Sequence, residues 1–256
     1  MVFYFTATGN SLYIAKRLDD NPISIPQINK QSNLCFSDKS IGIVSPVYCG
    51  EIPHIVFDFI KKSKFNTPYL YMILTYGMDE SDSPQFTYNQ CRNAGVSFDY
   101  INCIKMVDNY LPAFDMNEQK AMDKNIDGQL SAIKEEIRAR KKAIPTATAD
   151  GIRLHKKVAL MNKIFPSVNN GKAIKVTDKC TGCKICTQVC PIGNIAVITD
   201  YAQRLNKKCE FCLACVHNCP HNAIKLKMDK NPNARYINEN ISLDEIIYSN
   251  TQRKGD

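Results

Sequence analysis

Two short runs of cysteine constrain this chain more than anything else in it. CTGCKICTQVCP at Cys180 to Pro191 and CEFCLACVHNCP at Cys209 to Pro220 both read C-x2-C-x2-C-x3-C-P, at a constant offset of 29 residues. Three cysteines spaced two apart wrap a compact polynuclear metal group with short loops, and soft thiolates suit iron and sulfide. The alternative for paired CxxC units is structural zinc, which needs four thiolates and gives no reason for an eight-cysteine duplicate. Of the other four cysteines, Cys35, Cys91 and Cys103 follow no pairing pattern and read as ordinary free cysteines, and Cys49 reads as a passive small residue rather than a redox thiol.

Clustered cysteines in a reducing compartment point to metal rather than disulfides, so the expected location is the cytoplasm. The longest clear apolar stretch, Tyr69 to Tyr76, is too short to span a bilayer, and MVFYFTATGN has no basic region ahead of its apolar residues. The formal charge is +8. Two oxidised clusters with their thiolates remove about four of those charges and a bound phosphate about two more, so the excess is no argument for nucleic acid. No stacking-aromatic motif supports such a partner either. Basic residues at Arg138, Arg140, Lys141 and Lys142, and at Lys207 and Lys208, read as solvated faces or as steering for an acidic carrier.

The first hundred residues alternate apolar runs with helical patterns, as a parallel sheet of βα units does. Strands are expected at 2–7, 41–47, 70–76 and 98–107, with a weak edge strand over 23–28, since Pro22 and Pro26 cannot donate ladder hydrogen bonds. Helices are expected at 10–18, 53–62 and 84–93. Met122, Ile126, Leu130, Ile133, Ile137 and Ile144 predict one long amphipathic helix over 116–144. IPTATADG (144–151) reads as a linker. Leu154, Val158, Met161 and Phe165 predict a short helix ending at Pro166, and Asn169, Asn170 and Gly171 mark the next boundary. A final helix is expected near Leu243 to Tyr248.

Between the first strand and first helix lies FTATGNS. The hydroxyls of Thr6, Thr8 and Ser11, the Asn10 amide, Gly9 and the N–H groups of a starting helix converge on a volume suited to a phosphate. The lysine of a Walker loop is missing and the pattern is not GxGxxG, which leaves a phosphate site or a plain helix cap.

Three resemblances follow from these residues. The cysteine runs resemble those of bacterial two-cluster ferredoxins, in which the fourth cysteine of each run serves the other cluster. That resemblance implies one [4Fe-4S] cluster on Cys180, Cys183, Cys186 and Cys219, and another on Cys209, Cys212, Cys215 and Cys190. TATGNS resembles the phosphate loop of flavodoxins, which bind FMN. By that likeness the flavin ring belongs at SPVYCGEIP (45–53), through Pro46, Val47, Tyr48 and Gly50, and at TYGMDES (75–81), through Thr75, Tyr76 and Gly77. Tyr48 is then the stacking aromatic, and Tyr110 a second aromatic that VDNYLP (107–112) brings near the ring or leaves in a core.

The whole chain resembles the flavodoxin-ferredoxin fusion proteins of anaerobes. The implied fold is α/β: a flavodoxin-like doubly wound parallel sheet over residues 1–145, a linker with a short helix over 146–171, a small α+β bacterial ferredoxin-like domain over 172–228, and an extension over 229–256. The implied function is electron transfer between two [4Fe-4S] clusters and FMN, with a redox partner protein such as a ferredoxin, a flavodoxin or an oxidoreductase. Two other functions are compatible: an FMN-dependent reductase of a small organic substrate, or a ferredoxin with a flavin-free docking domain. His54, His217 and His221 read as structural or solvated residues, and Ile185, Ile192, Ile195, Phe211, Leu213 and Ile224 as a dry wall around the clusters.

Overall fold

The computed structural model describes residues 1–164, 171–206 and 208–252. In chain order the elements are β1 (Val2–Tyr4), α1 (Asn10–Leu18), β2 (Ile23–Ser24), α2 (Ile25–Ile28), β3 (Cys35–Ser37), β4 (Ile41–Pro46), α3 (His54–Lys62), β5 (Lys64–Asn66), β6 (Leu70–Tyr76), α4 (Ser83–Asn93), β7 (Tyr100–Lys105), α5 (Met116–Ala121), α6 (Ile126–Arg138) and α7 (Ala149–Ile164). There follow β8 (Ile174–Val176), α8 (Ile185–Gln188), β9 (Ile195–Ile198), β10 (Tyr201–Arg204), α9 (Ala214–His217), β11 (Ile224–Leu226) and α10 (Leu243–Asn250). Phe165, Pro166, Asn169, Asn170 and Lys207 lie outside the described residues. Among the described residues no helix is long and apolar enough to cross a membrane.

The chain divides into two compact units, the first holding Met1–Phe5, Asn10–Met106 and Lys124–Met161. Its sheet has five parallel strands in the order β2-β1-β4-β6-β7. Counted along the sheet-forming strands alone this is 2-1-3-4-5, the flavodoxin-like doubly wound order, whose switch point lies where the strand direction of travel reverses, beside β1 and β4. The strands read as near-continuous apolar runs because both faces are covered: Ile41, Ile43, Val44, Met72, Ile73 and Leu74 are buried outright. Each such side chain stabilises the sheet by about 1.5–3 kcal/mol relative to exposure. At one place the packing demands a glycine. A Cβ on Gly42 would lie 2.3 Å from the Tyr71 ring on its register partner β6.

Three expectations are corrected. Only Ile23–Ser24 of the 23–28 edge strand pairs with β1; Pro26 then sits inside the first turn of α2, whose N-cap is Ser24. The helix expected over 116–144 is two helices. Met122 is extended and half exposed and Asn125 takes a left-handed φ of 47°, so the chain breaks between α5 and α6 although the apolar spacing runs on through both. In α7 the buried residues are Gly151 and His155, while the anticipated core positions Leu154 and Met161 are exposed. A two-stranded parallel pair, β3 with β5, was not expected; it brings Phe36 and Phe65 against Phe3 and Phe59.

The second unit holds Thr6–Gly9, Val107–Asp123 and Asn162–Asp256. Its two hairpin-like pairs are exchanged: β8, before the first cysteine run, pairs with β11, after the second, and β9, after the first run, pairs with β10, before the second. Leu111 and Met116 from the 107–123 segment share one buried cluster with Leu213, Val216, Ile224, Leu226 and Tyr236. Tyr110 packs edge-on against Phe211 at 6.4 Å between centroids.

Candidate functional site

The two cysteine runs repeat in backbone as well as in sequence. Gly182 and Phe211, 29 residues apart, take φ of 68° and 47°; Lys184 and Leu213 take 65° and 59°; Gly193 and Asn222 take 62° and 48°. Left-handed residues alternating with ordinary ones make successive N–H groups converge on one side, a concavity that receives negative charge. At Gly182 a side chain is also barred by space, since a Cβ would meet the Asp200 backbone at 3.0 Å. The amides of Asn194 and Ala223, again 29 apart, each donate to the sulfur four residues back, Cys190 and Cys219, at 3.2 Å.

The eight cysteines sort into two fours. Cys190, Cys209, Cys212 and Cys215 line a cavity of about 110 Å³, with Ile174, Ile192, Ile195, Leu213 and Ile224 among its apolar walls. Cys180, Cys183, Cys186 and Cys219 line a smaller one, with Val197, Ala202 and the same Ile224. Among the described residues no three His, Cys, Asp or Glu side chains stand close enough to hold a single ion. A polynuclear cluster keeps its thiolates further apart than one zinc ion does.

Burial pushes the thiols of Cys212 and Cys215 well up and that of Cys186 up to about 12, with Cys190 and Cys209 also raised. The protein by itself therefore favours neutral thiols there, and a cationic metal group is what makes thiolates affordable in so dry a place. Asn194, buried, fixes the first run to the second: its side-chain amide donates to Lys208 O, and its carbonyl oxygen accepts from Asn206 N at 2.9 Å. His217 is also buried. Its Nδ1 accepts from Tyr236 N at 3.1 Å, so Nε2 carries the proton given to Asn109 O at 2.9 Å. Burial lowers its pKa to about 4, which keeps it neutral and structural. His221 is exposed at the rim of the second cavity.

In the second unit, Thr6, Thr8 and Gly9 are buried. Thr6 O accepts from Asn250 Nδ2 at 2.9 Å, Ala7 O from Asn218 Nδ2 at 3.3 Å, and Thr8 O from Asn238 N at 2.7 Å. A peptide points its C=O and the next N–H to opposite sides, so three anchored carbonyls turn the following amides the other way. That polarity fits an anion. Thr8 Oγ1 accepts from Asn109 at 2.8 Å and Thr6 Oγ1 from Gly9 N at 3.1 Å. Gly9, at φ 98°, also leaves no room for a side chain beside Asn238. None of these asparagines carries a sequence signal, because each lies more than a hundred residues from the loop.

In the first unit, Asn10 opens α1 and Ser11 Oγ lies 2.8 Å from Thr75 Oγ1 at the end of β6. The segment after β4 carries Pro46, Val47, Tyr48 and Gly50. Tyr48 and Glu51 exchange both backbone hydrogen bonds around Cys49 and Gly50, which take φ of 55° and 90°, as a type I′ turn requires. Tyr76 ends β6 and Gly77 follows it, both partly buried. Burial, with Glu80 nearby, raises the Tyr76 pKa to about 12. Thus Ser11 in the first turn of α1, Tyr48 just after β4, and Thr75 and Tyr76 at the end of β6 all lie at or just past the carboxyl ends of sheet strands, the edge at which open α/β sheets receive ligands. The basic residues are engaged elsewhere: Lys141 with Glu136, Lys142 with Asp99, and Arg140 with Lys39 O. Sequence reading passed over Glu51, Asp82 and His155, which meet in this unit.

Comparison with known proteins bears mainly on the cysteine region. Residues 172–220 match the family model of a 4Fe-4S dicluster domain. No curated protein matches the chain. A solved structure, rubredoxin oxygen:oxidoreductase (ROO) from the anaerobe Desulfovibrio gigas, is similar over 54% of this chain and 36% of that one, at 12% identity and a TM-score of 0.32. The strand order, not this likeness, carries the flavodoxin-like fold. The cysteine region is an iron–sulfur region of ferredoxin type.

Proposed function

We propose that the chain is an electron carrier in which two [4Fe-4S] clusters exchange electrons with FMN. The observation that carries this reading is the sorting of eight cysteines into two fours around separate cavities. When bound, the clusters pass electrons singly and FMN takes one or two, so together they connect single-electron carriers to two-electron chemistry.

Cys180, Cys183, Cys186 and Cys219 would hold one cluster, and Cys209, Cys212, Cys215 and Cys190 the other. Ile224, buried and common to both cavities, gives the two fours a shared apolar wall. Converging amides around the left-handed residues stabilise added negative charge, and these are the levers that set a cluster's potential. For FMN, the loop Thr6–Ser11 supplies amides and hydroxyls for the phosphate, while Tyr48 and Tyr76 offer aromatic faces to the ring, with Pro46, Val47, Gly50, Thr75 and Gly77 around it. An external redox protein supplies or removes electrons at the cysteine region.

The test is anaerobic purification followed by assay of iron, sulfide and acid-released flavin. About eight irons and one FMN per chain are expected. About eight irons with no FMN, even after reconstitution, would leave a ferredoxin with a flavin-free domain.

A further inference from the structure

Helix α7 points a histidine inward and leaves its leucines outside. Leu154, Leu160 and Met161 are exposed, whereas His155 is only 6% exposed. Its Nδ1 stands 2.6 Å from Asp82 Oδ1 and its Nε2 3.4 Å from Glu51 Oε1, so both ring nitrogens face carboxylates. Phe86 packs edge-on against the imidazole at 4.6 Å. Gly50 closes another side, for a Cβ there would lie 2.8 Å from His155 Cδ2.

Asp82 is placed where an aspartate usually does something else. It occupies the N-cap position of α4 yet makes no side-chain cap hydrogen bond. Capping stabilises a helix by about 1 kcal/mol, and here the carboxylate is turned to His155 instead. Two further bonds hold the start of α7 in register: Ser81 Oγ donates to Gly151 O at 2.8 Å, and Ala147 N to Gln85 Oε1 at 2.9 Å. Glu51 belongs to the turn of Tyr48, and Asp82 closes the loop that begins with Tyr76 and Gly77. The carboxylates that flank His155 therefore come from the two segments assigned to the flavin ring.

We propose that Asp82, His155 and Glu51 form a proton-uptake site that answers electrons arriving on a ring held by these two segments. The proposal rests on the FMN reading above. Electrons delivered through iron–sulfur centres bring no protons, and negative charge placed in a poorly solvated site is costly unless offset. With one electron from each of two reduced clusters, bound FMN would take two electrons and one proton on the ring, and the Asp82–His155–Glu51 group would take up a second proton. The balance would be two electrons and two protons consumed, one negative charge left on the ring and one proton gained by the carboxylate–imidazole group, with no bond to protein made. Histidine is the side chain that changes charge near neutral pH. Glu51, whose side chain is 40% exposed, joins the buried imidazole to solvent as the proton source.

The experiment uses the full iron-loaded chain reconstituted with FMN and follows the flavin midpoint potential from roughly pH 5 to 9, the range histidine spans. The unsubstituted chain should show a bend in potential against pH. His155→Gln should lose the bend at unchanged FMN content, and Glu51→Gln should displace it. A straight line in the unsubstituted chain overturns the proposal, as does a bend that neither variant moves, even if His155→Gln lowers thermal stability. Should His155→Gln not fold, Glu51→Gln at its part-exposed position decides alone. Failure of the FMN reading shows separately and earlier, as no flavin bound to the unsubstituted chain, and it takes the proton site with it.

Discussion

Asn218 donates its side-chain amide to the carbonyl oxygen of Ala7 at 3.3 Å, across 211 residues of chain. The same nitrogen reaches Ala214 O at 2.8 Å, so a residue lying between Cys215 and Cys219 holds the loop after β1. Asn218→Ala removes both bonds from a buried place, at a cost of about 1–3 kcal/mol. Thermal unfolding of the iron-loaded protein should register that loss, and exchange of the Thr8 and Gly9 amides should quicken. Unchanged exchange would mean that Asn250 and Asn238 hold the loop without it.

The grouping of cysteines gives a pattern of equivalences. Cys186→Ser and Cys219→Ser, although 33 residues apart in sequence, should perturb the same cluster signal in low-temperature electron paramagnetic resonance. Cys190→Ser and Cys212→Ser should perturb the other. If instead Cys219→Ser matched Cys212→Ser, each run would serve its own cluster and the exchange would be wrong.

Much of this was legible because it is local. The duplicate cysteine runs and the strands at 41–46 and 70–76 announce themselves through spacing and apolar run length. The break between α5 and α6 does not, because Met122 to Ile126 is a step of four and looks like continuation; the extended backbone at Met122 and the left-handed Asn125 end the pattern. For α7 the apolar spacing pointed to the wrong face, since a histidine held by Asp82 and Glu51 takes the buried position and the leucines stay exposed. The asparagines around Thr6–Gly9 belong to distant segments, and no property of their own neighbourhoods marks them.

Gly42 offers a test of the sheet alone. Gly42→Ala drives a methyl group into the buried Tyr71 ring, and overpacking of this kind costs about 1–3 kcal/mol. The urea midpoint should fall with little change in slope. Gly95, around which a Cβ would meet nothing within 4 Å but whose φ is 89°, is the control: its loss comes from backbone strain, without repacking of the sheet.

Glu136 gives the acid limb. Hydrogen bonds from Lys141 and from Tyr100, both at 2.5 Å, hold its carboxyl below its ordinary pKa. A depressed folded value means stabilisation that is complete above the unfolded pKa of about 4.3 and lost as pH falls through the folded value. Its side chain is 30% exposed, so the contribution is under about 1 kcal/mol. The stability gap between the unsubstituted chain and Glu136→Gln, measured by urea at pH 7, should therefore shrink toward roughly pH 3. A gap that grew on acidification would refute the assignment.

The shared core of the second unit bears on how the chain is made. Leu111 and Met116 emerge from a ribosome about a hundred residues before Leu226 and Tyr236, the partners that bury them. At about 5–20 residues per second that is roughly 5–20 seconds of waiting with apolar side chains uncovered. The iron-binding half thus has no natural seam: a gene trimmed to start near residue 172 would encode every cysteine of both fours but not the leucine and methionine beneath them.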